Sequence, residues 1–218
     1  PPDDYWPRVR EICDKYGILL ISDEVMSGWG RTGKWFAVDN WGVTPDIITT
    51  AKGITSGYVP LGAVIVSDKI AAHFDDKYLY AGLTYNGHAL ACAAALATIE
   101  VYDDENLIEN AAIMGKYLGE CLEDIKSRHV SVGDVRYIGL FSTIELVTNH
   151  ETKEIFAPSV MAEVGKSLRE NGLFTFIMAN SMGSMVFVVP PLCITKEQLD
   201  EGLALVEKAL EVADKQVK

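Results

Sequence analysis

The sequence is sparing with the residues that build metal centres and covalent cross-links. Four cysteines and four histidines occur in 218 residues. Cys13, Cys92, Cys121 and Cys193 form no CxxC pair and have no histidine at ligand spacing. A metal centre is therefore not expected, and scattered cysteines of this kind predict a reduced, cytoplasmic protein. Positive charge is also short: 19 Lys and Arg face 31 Asp and Glu, for a net charge of −12. Such a surface repels nucleic acid and anionic membranes, so neither is expected as a partner. A local cationic pocket for a small anion stays open. No apolar run approaches the ~18 residues of a membrane span, and no secretory signal, internal repeat or low-complexity tract is visible. The chain opens without Met, on "PPDDYWPRVREICDKYGILLISDEV", with neither a strand nor a glycine loop ahead of its first helical pattern. That is the texture of a domain interior, and a fragment is expected.

What is present is ordinary globular material, 49% hydrophobic and 23% charged, able to bury a core. Asp4 to Tyr16 predicts an amphipathic helix, with Val9, Ile12 and Cys13 at helical spacing and Gly17 as its stop. The continuous apolar run "ILLIS" (18–22) predicts a strand buried on both faces, followed by "DIITT" (46–50) and "GAVIVS" (62–67). Helix, strand and loop in this order point to an α/β domain with a mainly parallel sheet. Residues 86–127 are Ala-rich and helical, with a break at Asp103–Asp104. Beyond Val132 the texture changes. Residues 135–147 and 184–191 read as strands, 159–172 as a helix stopped by Gly172, and Thr195 with Gln198 as a capping box before the last helix. The expected division is 1–103 and 104–218, the second part being a smaller α/β domain.

Two residues stand out for their placement. Asp23 follows the predicted strand 18–22, and Lys52 follows the predicted strand 46–50, in "TTAKG". Ligands collect beyond the carboxyl ends of parallel strands, so the two side chains can face one pocket. A carboxylate and an amine so placed are what pyridoxal phosphate requires: the amine joins its aldehyde, and the carboxylate pairs with its ring nitrogen. Taken singly, each has a plainer reading. Asp23 can cap the next turn, and Lys52 can be a solvated loop residue. A rival pattern overlaps them, since Gly28, Gly30 and Gly33 spell G-x-G-x-x-G. A dinucleotide-binding dehydrogenase needs that turn to open a long helix. Gly33 is instead followed by "KWFAVDNWGVTPD", broken by Gly42 and Pro45.

The stretch "ISDEVMSGWGRTGKWFAVDNWGVTPDIITTAKGITSGYVPLGAVIVS" resembles the centre of the class III (ω-amino-acid) aminotransferases, pyridoxal-phosphate enzymes of fold type I. "GLTYNGHALACAAALATIEV" and "VPPLCITKEQLDEGL" are similar to later segments of the same family, and the resemblance runs the whole chain but covers only the family's C-terminal half. It implies part of the large, mainly parallel-sheet domain plus the smaller C-terminal domain. It also implies that Asp23 is the ring-nitrogen partner, that Lys52 is the Schiff-base lysine and that Val25 packs on one ring face. Thr84 would contact the cofactor phosphate from the neighbouring subunit of a homodimer or higher oligomer. The implied substrates are a small amino donor and a keto-acid acceptor. The branch it is nearest to is the ω-amino acid:pyruvate and taurine:pyruvate one, with an aminomutase or related lyase as the variant within the family. Many members hold the substrate carboxylate with an arginine near the C-terminal strand. No arginine follows Arg169, so that group, and with it the donor, stays open. Catalysis by the fragment alone is not expected, nor is a metal; a non-catalytic remnant is the third alternative.

Overall fold

In the computed structural model, which describes residues 1–217, the chain divides after Glu109 into two compact units. The first unit begins with helix α1 (Tyr5–Tyr16), stopped by Gly17 in the left-handed conformation at φ 65°, where a residue without Cβ carries no penalty. Its inner face meets the chain that follows it: Cys13, Leu20 and Val43 are buried together, with Trp6, Val9 and Trp41 packed against them. Arg10 ties the same helix to the sheet, its guanidinium 2.8 Å from Asp46, which also accepts the Leu20 backbone N–H at 2.8 Å.

Strand β1 (Ile21–Asp23) pairs in parallel with β2 (Ile47–Thr50), in the register Ile21↔Ile47 through Asp23↔Thr49. Strand β3 (Ala63–Val66) then pairs with β2 antiparallel. The mainly parallel sheet predicted from the apolar runs is thus mixed in this chain. Residues 51–62 hold one 3-10 turn, Lys52–Thr55, and a parallel return needs a longer crossover, normally with a helix. A second expectation also changes. Ile18, Leu19 and Ile21 are 53%, 50% and 56% exposed, so the run 18–22 is not buried on both faces. Among the described residues β1 pairs with β2 alone, and Val64, Ile65 and Val66 of β3 are exposed as well. The short helix α2 (Asp68–Ala72) and an exposed connection lead to α3 (Ala89–Asp104). The break before α4 (Leu107–Arg128) falls at Glu105–Asn106, where Asn106 takes φ 51°.

The second unit is an antiparallel sheet covered by helices. β4 (Val132–Ile138) and β5 (Phe141–Asn149) form a hairpin across Gly139–Leu140, so the run 135–147 is two strands and not one. β6 (Glu154–Ile155) adds to β5, α5 (Pro158–Glu170) follows, and β7 (Ile177–Asn180) and β8 (Gly183–Val188) complete the order β4-β5-β8-β7. α6 (Lys196–Asp214) opens on the predicted capping box: Gln198 N–H donates to Thr195 Oγ1 at 3.3 Å and Thr195 N–H to Gln198 Oε1 at 3.1 Å. Leu118, Leu122 and Ile125 of α4, Ile144 and Leu146 of β5, Val164 and Leu168 of α5, and Leu210 of α6 make a buried core. Glycine lets α4 lie on the hairpin, because a Cβ at Gly115 would stand 2.4 Å from the Gly139 backbone.

Candidate active site

The parallel pairing of β1 with β2 decides where the chemistry-bearing residues fall. Asp23 is the last residue of β1 and stands opposite Thr49, one residue before the end of β2. Lys52 is the second residue beyond that end. Adjacent strands lie ~4.8 Å apart, so a carboxylate and an amine emerge from the same edge of the sheet on neighbouring strands. Both are exposed there. One Asp23 oxygen accepts the Val25 N–H at 3.0 Å, the local turn that short acidic side chains favour. The capping role is therefore real, and it fixes the carboxylate at the strand end. Among the described residues no hydrogen bond or ion pair is made by the Lys52 amine. An anchored carboxylate and an uncommitted amine, one strand apart at an open edge, fit a ligand that offers an aldehyde and a basic ring nitrogen.

Val25 is half-buried, directly after Asp23. Thr84 is not gathered with these residues. It lies in the exposed connection between α2 and α3, four residues before His88, the N-cap of α3. The three glycines make loop, not a nucleotide turn. Residues 25–34 are turns and bends, and the next helical element is the 3-10 turn Ala37–Trp41, so no long helix offers its N-terminus to a pyrophosphate. Gly28 instead permits close packing, since a Cβ there would stand 2.8 Å from the Glu24 carbonyl oxygen.

Residues around the pair supply its support. Glu24 is fully buried. Its two carboxylate oxygens accept from Ser22 and Ser27 hydroxyls and from the Ala37 and Val38 N–H groups, each of the last two at 3.0 Å. Its own N–H donates to Thr49 at 2.8 Å. The peptide joining Asp23 to Val25 is thereby held from both sides. On the lysine side, Trp29 donates its indole N–H to Thr50 Oγ1 at 2.5 Å, and Tyr102 donates its hydroxyl to the Gly53 carbonyl at 2.8 Å. Burial pushes the Tyr102 hydroxyl up, against the pull of nearby Arg31. Lys52 itself sits at φ 46°, a conformation that costs a side-chain-bearing residue on the order of 1–3 kcal/mol. Of these supports the sequence offered faint signals only. Glu24 neighbours Asp23 in a glycine-rich loop, and Tyr102 shares a helical stripe with buried Ala91 and Ala95.

The family model described as Aminotransferase class-III matches residues 1–210. The putrescine–pyruvate aminotransferase of Pseudomonas aeruginosa is 39% identical over 213 residues, covering 97% of this chain and 46% of that protein. The taurine–pyruvate aminotransferase of Bilophila wadsworthia is 39% identical over 218 residues, covering 96% and 48%. Among solved structures, the taurine:2-oxoglutarate aminotransferase of Bifidobacterium kashiwanohense, in complex with PLP and glutamate, superposes with a TM-score of 0.94 at 45% identity, over 100% of this chain and 49% of that one. The chain thus spans about half the length of the relatives it matches.

Proposed function

The chain belongs to the class III aminotransferase family, and from that premise we propose that the protein moves an amino group from an ω-amino acid or amine to pyruvate or a similar keto acid, with pyridoxal 5′-phosphate as cofactor. The observation that carries the proposal is the pairing of β1 with β2, which sets Asp23 and Lys52 at one sheet edge on neighbouring strands. Pyridoxal phosphate, when bound, supplies an aldehyde and an electron-withdrawing ring that accommodates the charge left when a proton leaves the donor carbon.

In this reading the Asp23 carboxylate pairs with the ring nitrogen and keeps a proton there. Its Asx turn and the buried Glu24 behind it hold that carboxylate still. The Lys52 amine would hold the cofactor through its aldehyde and, when free, would take the proton that leaves the donor carbon and give it back as an acid. Val25 covers one face of the ring. Thr84, exposed in its connection, reaches the phosphate of a second subunit, so the working form is a homodimer or larger. Taurine, a sulfonate, is the donor to try first, because relatives with taurine in their names are among those matched and no arginine follows Arg169 to hold a carboxylate there; β-alanine, its carboxylate counterpart, is the comparison.

The protein expressed from its intact reading frame, purified with pyridoxal phosphate, should be yellow, and Lys52→Ala should remove the colour and the activity. A donor panel with pyruvate, scored by alanine formed, identifies the amine. A colourless protein refutes the cofactor assignment. Activity with α-amino acids and none with β-alanine, taurine or simple amines refutes the ω-amino donor.

A further inference from the structure

The turn that carries Lys52 is fastened on both sides by one aromatic pair. Trp29 and Tyr102 stack with ring centroids 6.2 Å apart and planes inclined by 21°. Each spends its polar atom on the Lys52 turn: the Trp29 indole N–H on Thr50, two residues before the lysine, and the Tyr102 hydroxyl on the Gly53 carbonyl, one residue after it. Both rings are buried, and Trp35 packs its edge on each at 6.2 and 5.9 Å. The fit leaves no slack at Gly53, where a Cβ would meet the Trp29 Cβ at 2.6 Å. Between the two fastened residues lies a backbone that does not hold itself. Lys52 is in the left-handed region, at φ 46°. Conformations of that kind persist only where surrounding contacts over-determine them.

We propose that Trp29 and Tyr102 are positioning residues that hold the Lys52 turn left-handed and so aim its amine along the strand edge toward Asp23. The proposal rests on the reading of Lys52 as the cofactor-binding lysine. Neither aromatic touches the reacting atoms. They act through Thr50 and Gly53, and they couple helix α3 to the lysine. Displacing a catalytic group by about an ångström can lower a rate a hundredfold, so a relaxed turn is felt in the chemical step and not in binding.

The test uses Tyr102→Phe and Trp29→Phe in the protein from the intact reading frame. Tyr102→Phe removes one hydroxyl and keeps the stack, whereas Trp29→Phe keeps a ring and removes the indole N–H. In cofactor-free protein, amide exchange across residues 50–56 should accelerate about tenfold relative to residues 21–23 in each variant. In loaded protein, kcat per bound cofactor should fall about tenfold while KM for both substrates stays within about twofold. Tyr117→Phe, which deletes a tyrosine hydroxyl bonded to Asp200 in the other unit, should change neither. A role in general stability would lower the melting temperature and the yield of folded protein without moving these two readouts. The proposal is overturned if either readout stays within twofold of the parent, including one changing without the other. It is equally overturned if both variants lose their far-UV circular dichroism, since the pair would then support the whole unit and not the turn. A parent that binds no pyridoxal phosphate, or a Lys52→Ala protein that remains yellow, refutes the assignment of Lys52 instead. Exchange in the cofactor-free protein still decides whether the pair fastens the turn.

Discussion

Replacing Glu24 by Gln tests whether a buried carboxylate organises the loop behind Asp23. Each Glu24 oxygen accepts one backbone N–H, Oε1 from Val38 and Oε2 from Ala37, both at 3.0 Å. Glutamine has a single acceptor oxygen. Whichever way its amide is turned, the NH2 group faces one of those N–H donors, so one charge-assisted bond is lost and one buried donor is left without a partner. The first loss is worth ~1.5–3 kcal/mol and the second ~1–3 kcal/mol. Dehydrating an amide costs less than dehydrating a carboxylate, which offsets part of the sum. The expected net destabilisation is about 2–4 kcal/mol. Ser27→Ala, which removes one hydroxyl donor, should cost about 1 kcal/mol. All four tryptophans of the chain, Trp6, Trp29, Trp35 and Trp41, precede residue 110. A urea titration followed by tryptophan fluorescence therefore reads the first unit by itself, and the midpoint shift at constant slope gives the difference. A Glu24→Gln protein within ~0.5 kcal/mol of the parent would mean that the loop does not need two acceptor oxygens and that Glu24 does not organise it.

Acid should act through Asp46. The Leu20 backbone N–H, and then the Arg10 guanidinium, hold its carboxyl below the usual range. A depressed folded value means that its stabilisation is complete above the ordinary carboxylate range and is lost as pH falls through the lower, folded value. Asp46→Asn should cost ~1–2 kcal/mol near neutral pH, and the gap to the parent should close in acid. A gap that stays constant down to strongly acidic pH would refute this. In the second unit, Gly115→Ala should cost about 3 kcal/mol or more by urea titration followed by far-UV circular dichroism, because its Cβ meets backbone and not a movable side chain; a neutral result would show that α4 can move off the hairpin.

Much of this protein was legible in the chain as written. Patterning gave α1 with its Gly17 stop, the apolar strands, the Ala-rich helix with its break and the Thr195–Gln198 capping box, since these depend on neighbours within a turn or two. Asp23 and Lys52 could be singled out because each lies at or just past the end of an apolar run, and strand ends are a local property. What the sequence could not decide were relations between distant segments. Whether "GAVIVS" returns parallel or antiparallel depends on how residues 51–62 fold, and whether 18–22 is covered depends on what lies against the sheet. The supports of the site were hidden for the same reason. Tyr102 lies 49 residues from Gly53 and Trp29 lies 21 from Thr50; nothing in either neighbourhood states that they meet. Composition and periodicity report which faces are apolar and where elements stop. The left-handed lysine, the buried carboxylate and the aromatic pair are set by packing between segments, which only the tertiary structure specifies.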